Sequence, residues 1–123
     1  MEIIKRLFKG RIDRKNYALG ILFYVLMAFL FAFVTAFLID TFVYQFLYYP
    51  LLVAVFALGF SLHIRRFHDR GDSGWGVLFM LIPIVNIIFF LILLFEKGDE
   101  KENEFGTPIP KDAKFFDMLL GKK

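Results

Sequence analysis

The chain alternates between short charged stretches and long stretches that contain no charged residue. Residues 17–39, 41–62 and 74–95 form three uncharged runs of 23, 22 and 22 residues. About 20 apolar residues in a helix cross the roughly 30 Å hydrocarbon core of a bilayer. The pattern therefore predicts two membrane-spanning helices, at residues 17–39 and 41–63, and a third apolar segment at residues 74–95.

The third apolar segment has two interpretations. As one continuous helix it is long enough to cross the membrane and to place the polar tail, residues 96–123, on the outer side. Alternatively, Pro83 closes one half-helix and Asn86 caps the next, so that the segment forms a broken re-entrant hairpin. The hairpin keeps the six lysines of the tail inside, and the charge distribution favours it for that reason.

The N-terminal segment, residues 1–16, predicts the orientation of the protein. It carries six basic and two acidic residues, so the positive-inside rule places it in the cytoplasm. Its apolar residues recur at helical spacing, which predicts a short helix on the membrane surface that ends at Gly10. Asp13 is the predicted N-cap of the first span, and Asp40 lies in an outer turn. A second surface helix is predicted near the C-terminus, around Phe115 and Leu119.

Composition supports a membrane protein. The 123 residues are 59% hydrophobic and 20% aromatic, and a soluble domain of this size has too little interior for so much apolar surface. The net charge of +3 comes from basic residues that flank the apolar runs, so we expect no nucleic-acid partner. We predict a single-domain, all-α integral membrane protein: two transmembrane helices, the third apolar segment as a hairpin or a span, and surface-lying helices at both ends.

One dense polar cluster, RRFHDRGDSGW at residues 65–75, follows the second span. It has the composition of a basic interfacial turn with a tryptophan anchor. It also has the elements of an anion site, because arginines and a capped helix start at headgroup depth bind phosphate. The candidate residues for binding an anionic headgroup are Arg65, Arg66, His68, Arg70 and Ser73.

The neighbouring Asp69 and the histidines suggest two further interpretations. Asp69 lies four residues after Arg65, and the ordinary expectation is that the two form an ion pair on one helix face. His63 and His68 point about 140° apart on a helix, so they do not converge on one metal ion. We expect no metal site.

The sequence gives little support for catalysis or coupled transport. It contains no Ser/His/Asp set, no intramembrane carboxylate pair and no glycine-rich phosphate loop, and we expect no catalytic residue and no cofactor. Proton-coupled transporters and voltage sensors place charges within their spans, which this chain does not. A strip of small residues, Ala28, Ala32 and Ala36, lies on one face of the first span and suggests self-association.

Four motifs together resemble the domain-of-unknown-function 805 family of small bacterial inner-membrane proteins. They are FKGRIDRKNY at 8–17, RRFHDRGDSGW at 65–75, the break at 82–83 and NEFGTPIP at 103–110. Phe67, Gly76 and Glu104 depart from the usual residues of the family. The resemblance implies a bacterial inner membrane and supplies no activity. The positions that match the family motifs are Gly10, Arg11, Arg14, Arg65, Arg66, His68, Asp69, Gly71, Ser73, Gly74, Trp75, Asn103, Phe105 and Gly106.

Two functional hypotheses follow from the sequence. The first is a non-catalytic membrane module that binds anionic lipid headgroups or a partner protein at its inner face. The second is a homo-oligomeric channel or carrier for a small solute, since two or three short spans cannot enclose a pore alone. The absence of charge within the spans favours the first.

Overall fold

A computed structural model describes residues 2–120 of the chain, so the first residue and the last three residues of the predicted tail, 121–123, lie outside the described part. The described residues form five α-helices and one 3₁₀ helix. These are α1 (Glu2–Lys9), α2 (Arg14–Leu38), α3 (Phe42–Asp69), the 3₁₀ helix (Gly74–Leu81), α4 (Pro83–Phe95) and α5 (Phe115–Leu119).

Helices α2 and α3 form the antiparallel pair that the first two apolar runs predict. The turn between them contains Asp40, and Thr41 caps α3 by accepting a hydrogen bond from the Tyr44 amide at 3.3 Å. Asp13 occupies the predicted N-cap position of α2, but its carboxylate accepts from the Asn16 amide side chain at 2.6 Å instead of from the helix backbone. Helix α3 continues through Pro50.

The third apolar segment is broken at Ile82, as the hairpin alternative predicts. Ile82 has an extended backbone, and Pro83 begins α4 at a position where its missing N–H costs nothing. The predicted role of Asn86 is wrong, because Ile82 and not Asn86 is the N-cap of α4. Asn86 lies within the first turn of α4, and its side-chain amide donates back to the Met80 carbonyl at 2.5 Å, across the break.

Both ends of the third segment lie at the same end of the α2–α3 pair. The start of the 3₁₀ helix packs against α3, where a Cβ on Gly74 would meet Ile64 and His68. The end of α4 returns to the start of α2, where Arg14 donates to the Phe95 carbonyl at 2.9 Å. The segment therefore folds back on itself. We call this end of the molecule the polar end, and the part of α2 and α3 that flanks the Asp40 turn the apolar end.

The long helices expose apolar side chains along most of their length. In the most apolar 18-residue stretch of α2 no residue is buried. In the corresponding stretch of α3 only 17% of the residues are buried. A core helix of a soluble protein of this length would be mostly buried, so the exposed surface fits contact with lipid. The fold is that of an all-helical membrane protein.

Candidate functional site: a buried arginine cluster at the polar end

Asp69, in the last turn of α3, lies at the centre of the polar end. Its two carboxylate oxygens accept from two different arginines, Arg11 Nε at 2.9 Å and Arg66 Nη1 at 2.6 Å. All three side chains are buried. The expected pairing of Asp69 with Arg65 is wrong, because the Arg65 guanidinium binds the backbone carbonyls of Met118 and Leu119 instead.

Arg66 closes the C-terminal end of α4. The last four carbonyls of a helix lack partners within the helix, and a cation at that end also complements the helix dipole. Arg66 Nε donates to the Leu93 carbonyl at 2.7 Å, and its Nη2 donates to the Glu96 carbonyl. Together with Arg14 on the Phe95 carbonyl, two arginines from other helices cap α4. Such charge-assisted hydrogen bonds contribute about 1.5–3 kcal/mol each.

Arg65 binds the C-terminal helix by the same chemistry. Its guanidinium donates to the carbonyls of Met118 and Leu119, the latter at 2.9 Å, and it is fully buried. Within residues 2–120 no carboxylate pairs with Arg65. Carbonyl oxygens alone satisfy the charge, which makes α5 the counterpart of this arginine.

Arg11 fixes the loop that connects α4 to α5. Its Nη1 donates to the carbonyls of Lys101 and Gly106, both at 3.0 Å, and its Nη2 donates to the Asp99 carbonyl at 2.6 Å. The loop comes so close that a Cβ on Gly98 would overlap the Asp69 carboxylate. One short segment before α2 thus holds residues about 90 positions later in the chain.

His68 connects α1, α3 and the loop. Its Nδ1 is 2.9 Å from the Gly10 carbonyl, and its ring stacks on Phe105 with a centroid distance of 3.9 Å. Asn103 supports this stack by donating to the His68 carbonyl at 2.9 Å. Burial lowers the pKa of His68, so the ring is neutral at neutral pH and donates through Nδ1–H.

The remaining motif residues have smaller structural roles. Arg70 is partly exposed and forms ion pairs with Asp72 at 3.0 Å and Glu96 at 2.9 Å. Ser73 caps the 3₁₀ helix by accepting from the Trp75 amide at 3.3 Å. Gly71 has a φ of +80°, a conformation that favours glycine. Trp75 is 76% exposed, as a membrane-interface anchor would be.

The structure therefore brings the predicted anion-site residues together, but it points two of them inward. Arg65 and Arg66 are fully buried, and carbonyls and Asp69 take up their hydrogen-bonding groups. Headgroup binding by these residues stays a prediction, and in this arrangement it would require the tail to move away. Sequence reasoning missed the acceptors because backbone carbonyls leave no signature in residue identity.

The fold and the polar end define a class: an all-helical membrane protein whose motif arginines bind its own backbone. Residues 7–107 match the family described as Protein of unknown function (DUF805), and the chain belongs to this family, as its motifs indicated. The proteins named Inner membrane protein YhaH from Escherichia coli strains K12 and O157:H7 are each 30% identical over 106 residues, 85% of this chain and 87% of the relative. No solved structure matches the chain.

Proposed function

We propose that this protein is a non-catalytic module of the bacterial inner membrane that binds anionic lipid headgroups at its inner face. The observation that carries the proposal is the set of exposed basic side chains on α1. Lys5, Arg6 and Lys9 are exposed on one side of this helix, and no carboxylate in residues 2–120 pairs with them. The naming of the Escherichia coli relatives as inner membrane proteins supports the location.

The geometry of α1 supports binding to a membrane surface. Ser61 donates to the Leu7 carbonyl at 2.6 Å and fixes the helix against α3. Leu7 and Phe8 are half-buried, whereas Ile3 and Ile4 are 54% and 47% exposed. A helix with an exposed apolar strip beside basic side chains lies in the interface of an anionic bilayer. Cations near such a surface contribute about 1 kcal/mol each.

The proposal assigns lipid binding to α1 and no longer to the arginines that follow the second span. Arg65 and Arg66 hold the tail in place, so their replacement would disturb the fold and lipid binding together. A variant of α1 separates the two effects, because its cations have no structural partner among the described residues. We therefore assign headgroup binding to α1 and the stability of the polar end to the buried arginines.

Lipid retention tests the proposal. The protein is reconstituted in bilayers of equal parts phosphatidylcholine and phosphatidylglycerol, extracted in mild detergent and analysed by native mass spectrometry. Replacement of Lys5, Arg6 and Lys9 by Gln should lower the preference for phosphatidylglycerol by up to about 100-fold, since three cations contribute about 3 kcal/mol. The control replaces three exposed tail lysines, Lys101, Lys111 and Lys114, by Gln. An α1 variant that retains phosphatidylglycerol as well as wild type contradicts the proposal.

The proposed topology places the polar end in the cytoplasm, with α2 and α3 as spans and the third segment as a re-entrant hairpin. A reporter fused after Asn16 should read inside, and one inserted beside Asp40 should read outside. A reporter at the C-terminus should also read inside, because α4 returns to the start of α2. An outside signal there would mean that the third segment crosses the membrane.

Two hypotheses from the sequence stay predictions. Self-association through Ala28, Ala32 and Ala36 is compatible with the exposure of Ala32 and Ala36. A homo-oligomeric channel or carrier would need this or another interface. The same native mass spectra report the number of subunits, and a strictly monomeric protein would contradict both.

A further inference from the structure

A cavity of about 160 Å³ opens beneath the break in the third segment. It lies between α2, α3, the 3₁₀ helix and α4, and its walls are largely apolar. Among its lining residues only Tyr24, His63 and Asn86 carry hydrogen-bonding side chains, and none carries a formal charge at neutral pH. The cavity is separate from the arginine cluster and from α1.

Each of these three polar side chains has a group without a partner among the described residues. His63 uses Nδ1 for the Tyr17 hydroxyl at 2.8 Å, which leaves Nε2 for the cavity. Asn86 donates its amide to the Met80 carbonyl, which leaves Oδ1 as an acceptor. In residues 2–120 the Tyr24 hydroxyl forms no hydrogen bond; its ring lies against Gly59, where a Cβ would be 3.1 Å away.

The depth of the cavity makes these unpartnered groups significant. Its walls extend along α3 from His63 to Phe56. Along this helix Phe56 lies nine residues, or about 14 Å, before Arg65. Outside the walls the chain is surrounded by lipid, in which an unpaired polar group is costly. All three side chains line this one cavity, so a polar occupant can satisfy them together.

We propose that this cavity binds an uncharged, hydroxyl-bearing group of the size of glycerol. A hydroxyl both donates and accepts, so it can pair with His63 Nε2 in either tautomer as well as with the Tyr24 hydroxyl and Asn86 Oδ1. The volume equals that of about five water molecules at roughly 30 Å³ each, which is enough for a three-carbon polyol. The diol comes either from the headgroup of phosphatidylglycerol or from a free small polyol.

Two probes distinguish these sources. Phosphatidylglycerol is compared with phosphatidylmethanol of the same acyl chains, because both carry one negative charge and only the first carries a diol. Free glycerol is tested by saturation-transfer NMR on the full chain in nanodiscs of phosphatidylcholine. Preferential retention of phosphatidylglycerol assigns the headgroup, and a signal from glycerol assigns the free polyol. Absence of both overturns the proposal.

Matched variants link the signal to the cavity. Tyr24→Phe removes a single oxygen. It should reduce the diol-dependent signal, which is the preference for phosphatidylglycerol over phosphatidylmethanol or the saturation transfer to glycerol, by up to about tenfold, as expected for one lost hydrogen bond. Asn86→Leu should do the same, whereas Tyr48→Phe, on the distant stacked pair with Phe31, should leave the signal unchanged. A diol preference that survives both cavity variants overturns the proposal. Neutralising α1 affects the two anionic lipids equally, so the two proposals fail separately.

Discussion

The two ends of this molecule differ in which side chains they bury and which they expose. At the polar end Arg65 and Arg66 are fully buried, whereas at the apolar end Phe37 is 73% exposed. In a water-soluble protein two of these observations would be unusual: the full burial of Arg65, which has no carboxylate partner among the described residues, and the exposure of a large aromatic residue. In a bilayer they belong together, because lipid covers the phenylalanines, and backbone carbonyls and Asp69 satisfy the arginines.

The difference shows that the two ends are stabilised by different interactions. At the apolar end α2 and α3 contact each other, for example through the stacked Phe31 and Tyr48, and otherwise face outward. At the polar end all five α-helices meet through hydrogen bonds between residues far apart in sequence. We therefore expect substitutions at the polar end to change stability strongly and conservative substitutions at the apolar end to change it little.

The largest effect is expected for Asp69→Ala. This substitution leaves Arg11 and Arg66 buried without their shared carboxylate, and breaking a buried ion pair costs about 3–5 kcal/mol. Denaturant titration in mild detergent measures the change in the free energy of unfolding. The control is Asp72→Ala, which removes an exposed partner of Arg70 and should cost less than about 1 kcal/mol. Equal effects of the two substitutions would show that the arginine cluster does not stabilise the polar end.

A smaller effect is expected for Gly98→Ala. The added methyl group would overlap the Asp69 carboxylate, so the loop must shift, at a cost of about 1–3 kcal/mol. Hydrogen exchange should rise in the loop around Asp99, whose amide donates to the Asp69 carbonyl at 2.6 Å. Gly10→Ala is the control, because its Cβ would meet no atom closer than 3.7 Å. Unchanged exchange in the Gly98 variant would contradict the close approach.

Acidification should weaken the polar end moderately through His68. Its pKa is lowered in the folded state, so stability is complete above the unfolded-state pKa of about 6.5 and declines as the pH falls below it. One proton limits the slope to about 1.4 kcal/mol per pH unit. The free energy of unfolding is measured from pH 8 to pH 5 for wild type and His68→Asn. It should fall with pH in the wild type and fall less in the variant. Parallel curves would assign the pH dependence to other groups.

The smallest effect is expected at the apolar end. Phe37→Leu replaces one lipid-facing apolar side chain by another and should change the free energy of unfolding by less than about 0.5 kcal/mol. The matched comparison is Phe67→Leu, because Phe67 is buried at the polar end and packs against Phe89. If Phe37→Leu were the more costly of the two, a protein partner and not lipid would cover the apolar end.

The architecture of this protein could be predicted largely from its charge pattern. The uncharged runs correspond to α2, α3 and the broken third segment, and the amphipathic spacing after Glu2 corresponds to α1. Long uncharged runs predict long apolar helices because a helix that crosses the hydrocarbon core needs about 20 apolar residues. The third run has the same length as the second but is broken at Pro83, so the proline and not the run length decides its shape. The predicted N-cap at Asn86 failed, because the extended Ile82 before Pro83 already ends the preceding helix.

The arrangement of the polar end could not be predicted to the same extent. The motif residues were identified, but their partners are carbonyls of Leu93, Glu96, Met118 and other tail residues, which any amino acid supplies. The proximity of Gly98 to Asp69 likewise has no signature in local sequence. The cavity forms only when four helices come together in the folded chain. The spacing of Tyr24, His63 and Asn86 along the sequence therefore does not indicate that these residues line one cavity.

The long sequence separation of the Arg11 and Arg65 hydrogen bonds has a consequence for biosynthesis. The ribosome makes α2 and α3 before residues 99–119, which supply most of the acceptors for these two arginines. During that interval the guanidinium groups must stay hydrated at the membrane boundary, because burial without partners is costly. The hydrogen bonds of Arg11 and Arg65 to the tail therefore form only after α3 has been made. In a nascent chain that stops before α5, Arg65 lacks the Met118 and Leu119 carbonyls that accept its hydrogen bonds in the folded protein.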